Sequence, residues 1–353
     1  MKILAINPGS TSTKISVFEN ENNLFTKNIT HTAEHLKTFE NMISQKSFRA
    51  DEVKNALAEN NFKLEDIDSF VGRGGLLLPI KSGTYNINEK MLEHLTVGIS
   101  GEHASNLGGI IAKELATIFG KPSFIVDPVV VDEMHDVARI SGIKGLERKS
   151  IFHALNQKAI AKKYAKDIGK NYNDLTVIVT HLGGGVSVGT HHKGVVIDVN
   201  NAIGGDGPFS PERAGTLPAF EFLKHIEGKD MKDIKLSIKG QGGLVSYFNT
   251  SDCREVEKLM QDGNEEAKLV LEAMAYSIAK EIGSMSTVVS GKVDAIILTG
   301  GIAYSKFVTE YISERVSYIA KVVIYPGENE MEALALGGLR VLNGEEKALE
   351  YPY

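Results

Sequence analysis

One cysteine, Cys253, in 353 residues excludes an intramolecular disulfide, and with it a scaffold that depends on bridges for its stability. No Cys-x-x-Cys pair and no His-Glu-x-x-His helix occurs, so the common zinc signatures are missing. No apolar run approaches the roughly 20 residues of a membrane span. The chain enters a strand pattern at Lys2 with no signal-like apolar segment ahead of it, so a cytoplasmic location without a membrane partner is expected. Positive charge is not in excess either: 39 Lys and Arg stand against 45 Asp and Glu, a net charge of −6. The basic residues are scattered, and no nucleic-acid partner is expected. Neither the Gly-x-x-x-x-Gly-Lys-Ser/Thr loop nor a Gly-x-Gly-x-x-Gly after the first strand is present, which removes two familiar nucleotide folds.

What the chain does have is glycine at the ends of apolar runs. Ile3, Leu4, Ala5 and Ile6 have the length and composition of a buried strand that stops at Asn7-Pro8-Gly9. Ser10, Thr11, Ser12 and Thr13 then set hydroxyls beside backbone N–H groups, Lys14 adds a cation, and Ile15, Val17 and Phe18 resume a strand. Taken alone, this describes an ordinary polar β-hairpin as well as a phosphate cradle. The pattern recurs, however: Leu175–His181 is an apolar strand, Leu182–Gly185 a glycine turn, and Val186–Thr190 and Gly194–Val199 two more strands.

Helices are expected in two pieces over His35–Asn61, around Met91–Leu95, and over Glu102–Phe119, Lys149–Gly169, Glu265–Val289, Tyr304–Ile319 and Met331–Leu342. Between them fall strands at Ile67–Val71, Pro122–Val126, Val293–Leu298 and Val322–Tyr325, an α/β alternation throughout. The chain is long enough for two domains. Two halves that open alike, together with a third glycine turn at Thr299-Gly300-Gly301, suggest a nucleotide phosphate held between paired turns and an adenosine lying against backbone. Gly185-Val-Ser-Val-Gly189 spells a hydrolase nucleophile elbow, but it leads into another strand where that elbow requires a helix.

Phosphoryl transfer needs cations around the transferred group. Arg73 sits between glycines at a strand end, and Arg213 lies in a loop framed by Pro208 and Pro211. His103, His153 and His181 could each be a hydrogen-bonded core residue, and Asp127 could cap a turn. Glu328 and Glu330 could be ordinary first-turn acids of the last helix.

Asn7-x-Gly9-Ser10-x-Ser12-x-Lys14, Gly72-Arg73, His103, Val126-Asp127, Phe152-His153, His181-Leu-Gly-x-Gly185, Arg213-x-Gly215 and Gly301-Ile302 stand in the order found in the short-chain fatty-acid kinases. On these motifs the whole chain resembles the acetate kinase and butyrate kinase family. Arg73–Pro79 and Gly207–Pro218 look like its butyrate branch. The resemblance implies a duplicated actin-like ATPase fold, ribonuclease H-like and α/β in class, with two domains and a central cleft that closes over substrates. The first domain would hold residues 1–126 and 331–353 and the second residues 127–330. The implied reaction is a reversible, Mg²⁺-dependent transfer from ATP to the carboxylate of butanoate or similar short-chain acids, in a homodimer or larger homo-oligomer.

By the same resemblance, Arg73 would hold the substrate carboxylate, and Arg213 and His153 the phosphoryl in flight. Asn7 and Asp127 would position the metal and its waters. Ser10, Ser12, Lys14 and the backbone of Gly183, Gly184 and Gly185 would contact phosphates, with His181 behind that turn. Gly300, Gly301 and Ile302 would border the adenosine. His103 and Phe152 would line the substrate site. Glu330 matches a metal-proximal glutamate better than Glu328 does. Gly74 and Gly75, where acetate kinases carry bulky aliphatic residues, are expected to open the acyl pocket to four-carbon and branched acids. An acetate or propionate kinase is the neighbouring reading, and an actin-like or chaperone-type ATPase without an acid substrate is a reading of another class. Asn7 argues against the latter, because water-activating relatives are expected to have aspartate there.

Overall fold

The computed structural model describes residues 1–353. Its first strands are β1 (Lys2–Pro8), β2 (Ser12–Glu19) and β3 (Asn22–Thr30). They form the expected antiparallel meander, with Lys2 opposite Glu19 and Asn7 opposite Lys14 in the first pair. Ile3, Leu4, Ala5 and Ile6 are fully buried, as a strand covered on both faces requires. There follow α1 (Ala33–Leu36), α2 (Lys46–Glu59), β4 (Ser69–Arg73), β5 (Thr84–Asn86), α3 (Glu89–Val97), α4 (Asn106–Ile118) and β6 (Ser123–Val126). The sheet runs β3-β2-β1-β4-β6-β5, with β4 parallel to β1 and β6 parallel to β4. This register brings Asn7, Arg73 and Asp127 to the carboxyl ends of three adjacent strands, where open α/β sheets bind ligands.

Backbone contact fixes the end of β4. A Cβ on Gly72 would lie 2.1 Å from the carbonyl oxygen of Gly108, and one on Gly108 would lie 2.5 Å from that of Arg73. Only glycine on both sides lets α4 approach β4 this closely. Helix α4 starts at Asn106, four residues later than the sequence pattern suggests, because Asn106 is used elsewhere. Its side chain accepts from the Leu76 N–H at 2.8 Å and donates to the Gly101 carbonyl at 3.0 Å.

The next stretch holds α5 (Asp136–Arg139), α6 (Ala154–Asp167), β7 (Thr176–Leu182), β8 (Val186–His192) and β9 (Val195–Val199). Then come α7 (Ala219–Ile226), α8 (Met231–Ile238), α9 (Leu244–Phe248), α10 (Cys253–Gln261), α11 (Glu265–Thr287), β10 (Ala295–Gly300), α12 (Lys306–Val316) and β11 (Val322–Pro326). The sheet order β11-β10-β7-β8-β9 repeats the first sheet without its β5 edge: a meander, then a parallel strand beside the meander's first strand, then another parallel strand. Helix α6 begins after His153, so Lys149–Phe152 is not helical, and a short 3-10 turn, Gly301–Tyr304, precedes α12. Sequence periodicity does not reveal α7 and α8: α7 buries no residue, with Phe220 81% and Leu223 59% exposed, and α8 buries only Ile234.

The last helix, α13 (Glu330–Leu342), goes back to the first sheet. Gly337 and Gly338 let it lie against Val126 and Val71, whose methyl groups come within 2.5 Å and 2.7 Å of where a Cβ would stand. The chain accordingly divides into Met1–Val131 with Asn329–Tyr353, here unit 1, and Asp132–Glu328, unit 2. Two substitutions test the packing. Gly72→Ala is expected to lower unfolding stability by about 1–3 kcal/mol through overpacking. Gly283→Ala, inside α11 with nothing within 4 Å of the added carbon, is expected to raise it by about 0.5–1 kcal/mol. Urea unfolding midpoints that move the other way would contradict these assignments.

Candidate active site

In unit 1 the candidate residues converge on one carboxylate oxygen. Glu330 Oε2 accepts from Asn7 Nδ2 at 2.7 Å and from Arg73 Nη1 at 2.6 Å, and the same arginine nitrogen lies 3.4 Å from Asn7 Oδ1. The end of β1, the end of β4 and the start of α13 each supply one member. All three are partly buried. Asp127 is not bonded into this cluster: its carboxylate accepts from Ser82 Oγ at 2.7 Å and from the Gly83 N–H at 2.8 Å, with its backbone at φ 37°. His103, exposed, bonds Ser105 through Nδ1 at the entry to α4. Ser10 and Lys14 are exposed on the first hairpin, and Ser12 is half-buried.

Gly74 and Gly75 overturn an expectation. A Cβ on Gly74 would lie 2.5 Å from Pro128 Cβ, and one on Gly75 would lie 2.3 Å from Asn106 Oδ1 and 2.6 Å from Asn106 Cα. The space is occupied, so these glycines serve close packing and do not vacate an acyl pocket.

Unit 2 gathers a second set around the turn after β7. His153 and His181 stack with ring centroids 3.8 Å apart and planes 14° apart. Helix α6 organises them: His153, Asn156 and Gln157 have the three- and four-residue spacing of one helix face. Asn156 Oδ1 meets His181 Nδ1 at 2.7 Å, and Asn156 Nδ2 donates to the Glu328 carbonyl at 2.8 Å. Ser187 Oγ meets His153 Nδ1 at 2.9 Å and accepts from Gln157 Nε2 at 2.8 Å. The Glu328 carboxylate lies 3.7 Å from His181 Nε2. Glu328 thus joins the histidines, while Glu330 joins Asn7 and Arg73. Asn156, Gln157 and Ser187 were not singled out from sequence. The spacing from His153 was the one available signal for Asn156 and Gln157, while Ser187 is the serine of the Gly185–Gly189 spelling that was set aside as a nucleophile elbow.

Arg213 lies on the glycine turn itself. A Cβ on Gly185 would fall 1.7 Å from Arg213 Nη1, so the guanidinium occupies the place of a side chain there. Nη1 donates to the Ala202 carbonyl at 2.6 Å, whereas Nε is buried with no partner. Burial lowers the Arg213 pKa, yet an arginine so shifted stays charged at neutral pH. Ser210 Oγ and the Glu212 N–H both donate to the Gly184 carbonyl, at 2.7 Å and 3.3 Å, clasping the turn. Phe152 is buried beside the start of α6. Gly300 pairs with Gly327 through two backbone hydrogen bonds of 3.1 Å and 3.0 Å, and a Cβ on it would lie 2.3 Å from the Leu182 carbonyl oxygen. Gly301 has nothing within 4 Å of its missing side chain and leaves its backbone open, while Ile302 is buried.

Residues 141–323 match the model of the acetokinase family. Butyrate kinase 2 of Clostridium acetobutylicum is 54% identical over 352 residues, 99% of each chain. Butyrate kinase 1 of the same organism is 53% identical over the same length and coverage. Among solved structures, the acetate kinase of Porphyromonas gingivalis superposes with a TM-score of 0.76 at 19% identity, covering 94% of this chain and 97% of its own. The duplicated actin-like ATPase fold is therefore the fold of this chain.

Behind the loop that leads to Arg213, a half-buried acid keeps its proton to higher pH than an ordinary carboxylate. Glu281 on α11 has its pKa raised to about 7, first by burial and then by the charges of Asp206 and Asp198, which Arg148 offsets in part. Between the ordinary value of 4.5 and about 7 the native chain holds a proton that the unfolded chain has lost. The stability from this group is thus complete below that window and declines as pH rises through it. The stability of the parent chain, measured relative to Glu281→Gln, is expected to fall between pH 5 and pH 8. A difference that does not vary with pH would refute the shift.

Proposed function

This chain belongs to the acetokinase family, and we propose that it transfers the terminal phosphoryl group of ATP reversibly to the carboxylate of butanoate, giving butanoyl phosphate and ADP. The observation that carries the choice of acid is the 54% identity with a butyrate kinase over 99% of both chains. A carboxylate oxygen attacks the γ-phosphorus. The bond from phosphorus to the β,γ-bridging oxygen breaks, and its electron pair leaves with ADP. A carboxylic acid is already ionised at neutral pH, so no general base is required. The obstacle is repulsion between two anions, and cations and aligned donors must offset it.

The geometry supports that division of labour. Arg73 already binds a carboxylate, that of Glu330, through Nη1, which leaves Nη2 and Nε for the carboxylate of the acid. Arg213 has a buried, unpartnered Nε–H, suited to an oxygen of the transferring phosphoryl, and His153, fixed by Ser187, is assigned beside it. Ser10, Ser12, Lys14 and the N–H groups of Gly183–Gly185 are assigned to the phosphates, with His181 bracing the latter turn. Gly300, Gly301 and Ile302 are assigned to the adenosine. Unit 1 would then carry the first phosphate hairpin and Arg73, and unit 2 the nucleotide base.

No group of three or more His, Cys, Asp or Glu side chains is placed to hold a metal by itself. The oxygens of Asn7 and Glu330 fit Mg²⁺, which keeps several waters and is held largely by substrate phosphates. Bound there, Mg²⁺ would neutralise phosphate charge. Asp127, committed to Ser82 and Gly83, would act through water. We extend the proposal to a cytoplasmic homo-oligomer on the strength of the family resemblance. No helix is long and apolar enough to cross a membrane.

Trapping of acyl phosphate with hydroxylamine, across a panel of acids, tests the reaction. Butanoate is expected to exceed acetate, and ATP turnover is expected to depend on added acid. A preference for acetate would overturn the substrate, and absence of acyl phosphate with every acid would overturn the function. Arg73→Ala and Arg213→Ala are each expected to lose about 3–4 kcal/mol of transition-state stabilisation, read as kcat/KM. Near-normal kcat/KM in either variant would remove that residue from its role.

A further inference from the structure

Arg49 on α2 is fully buried and makes no ion pair, an unusual place for a guanidinium. Its partners are backbone carbonyls and neutral side chains. Nη1 donates to the carbonyls of Gly9 at 2.8 Å and Ser12 at 2.9 Å and to Thr13 Oγ1 at 3.2 Å. Nη2 donates to the Ser10 carbonyl at 3.1 Å and to Gln45 Oε1 at 2.9 Å, and Nε donates to the same Gln45 oxygen at 3.0 Å. Burial lowers its pKa to about 10, which leaves it charged at neutral pH. His31, bonded to Thr13 Oγ1 at 2.9 Å, has its pKa lowered to about 4 by burial and by the charge of Arg49, and is neutral.

The carbonyls that Arg49 grips belong to the turn between β1 and β2 and to Ser12, the first residue of β2. A trans peptide points its C=O and the following N–H in opposite directions. With the Gly9 and Ser10 carbonyls turned inward, the N–H groups of Ser10 and Thr11 point outward, and neither donates within the protein. Both residues are exposed. Two consecutive outward N–H groups beside hydroxyls are suited to an anion, and Arg49 adds a fixed positive charge behind them. A turn that needed only to reverse the chain would not require a buried cation coordinating three carbonyls.

We propose that Arg49 is the positioning residue of the first phosphate hairpin: its grip on the carbonyls of Gly9, Ser10 and Ser12 holds the Ser10 and Thr11 N–H groups toward the terminal phosphates of the nucleotide. The proposal rests on the reading of this chain as an ATP-dependent carboxylate kinase.

Arg49→Met, Arg49→Lys and Gln45→Met, each checked by urea unfolding, provide the test. ATP and adenosine affinities are measured by equilibrium binding, and the KM for butanoate by acyl-phosphate trapping. Arg49→Met is expected to weaken ATP binding and kcat/KM for ATP on the order of 10- to 100-fold, the scale of a slight misplacement of a reacting group. Adenosine affinity and the KM for butanoate are expected to stay at parent values. Arg49→Lys keeps the charge without the fork and is expected to recover part of the loss. Gln45→Met keeps Arg49 but removes its side-chain acceptor. It is expected to give a smaller loss of the same kind, and it decides the matter if Arg49→Met does not fold. A folded Arg49→Met with parent ATP affinity, or equal losses for ATP and adenosine, would overturn the proposal; if Arg49→Met is unfolded, parent ATP affinity in Gln45→Met does so. If the parent chain makes no acyl phosphate, the functional reading fails, while the comparison of ATP with adenosine still judges Arg49.

Discussion

A guanidinium removed from water must have its N–H groups satisfied, and this requirement shapes the functional ends of both units. Arg49 is satisfied almost wholly by carbonyls, Arg73 shares one carboxylate oxygen with an asparagine, and Arg213 rests on a glycine turn with its buried Nε–H unpartnered. Carboxylate partners for all three would neutralise the charge that a reaction between two anions needs. The alternative, taken for Arg49 and Arg213 but not for Arg73, is to hold the cation with dipoles. That costs desolvation but leaves the field intact.

Dipoles can do this only if backbone comes very close to side chain or backbone, and at several of these points glycine makes that approach possible. Gly185 gives its side-chain space to Arg213, Gly72 and Gly108 let α4 reach the end of β4, and Gly300 meets Leu182. The two sheets repeat one connectivity, so equivalent strand ends hold candidate site residues twice: Asn7 stands one residue before the end of β1, and His181 one residue before the end of β7. The duplication supplies positions, while the residues at those positions differ.

Much of this was legible because the apolar runs are short, compact and stopped by glycine. Both meanders, the long α11 and the closing helix follow from that pattern. The resemblance favours Glu330 over Glu328 beside the metal. The geometry separates them by partner, Glu328 meeting His181 and Glu330 meeting Arg73. Arg49 and Asn156 were not legible, since a polar residue in a helix looks the same whether it faces water or a turn tens of residues away. Gly74 and Gly75 mark a different limit. A missing side chain reads as open space in a sequence, and only the positions of Pro128 and Asn106 show that the space is taken.

The return of α13 to the first sheet also bears on synthesis. Every element of unit 2 lies within Asp132–Glu328, whereas unit 1 is divided around it. Domains fold as units while a chain emerges from its amino end. Unit 2 therefore has all of its sequence before unit 1 does. Until Gly337 and Gly338 arrive, Val71 and Val126 lack the helix that covers them, and the nascent first sheet carries an uncovered apolar face through the whole translation of the second.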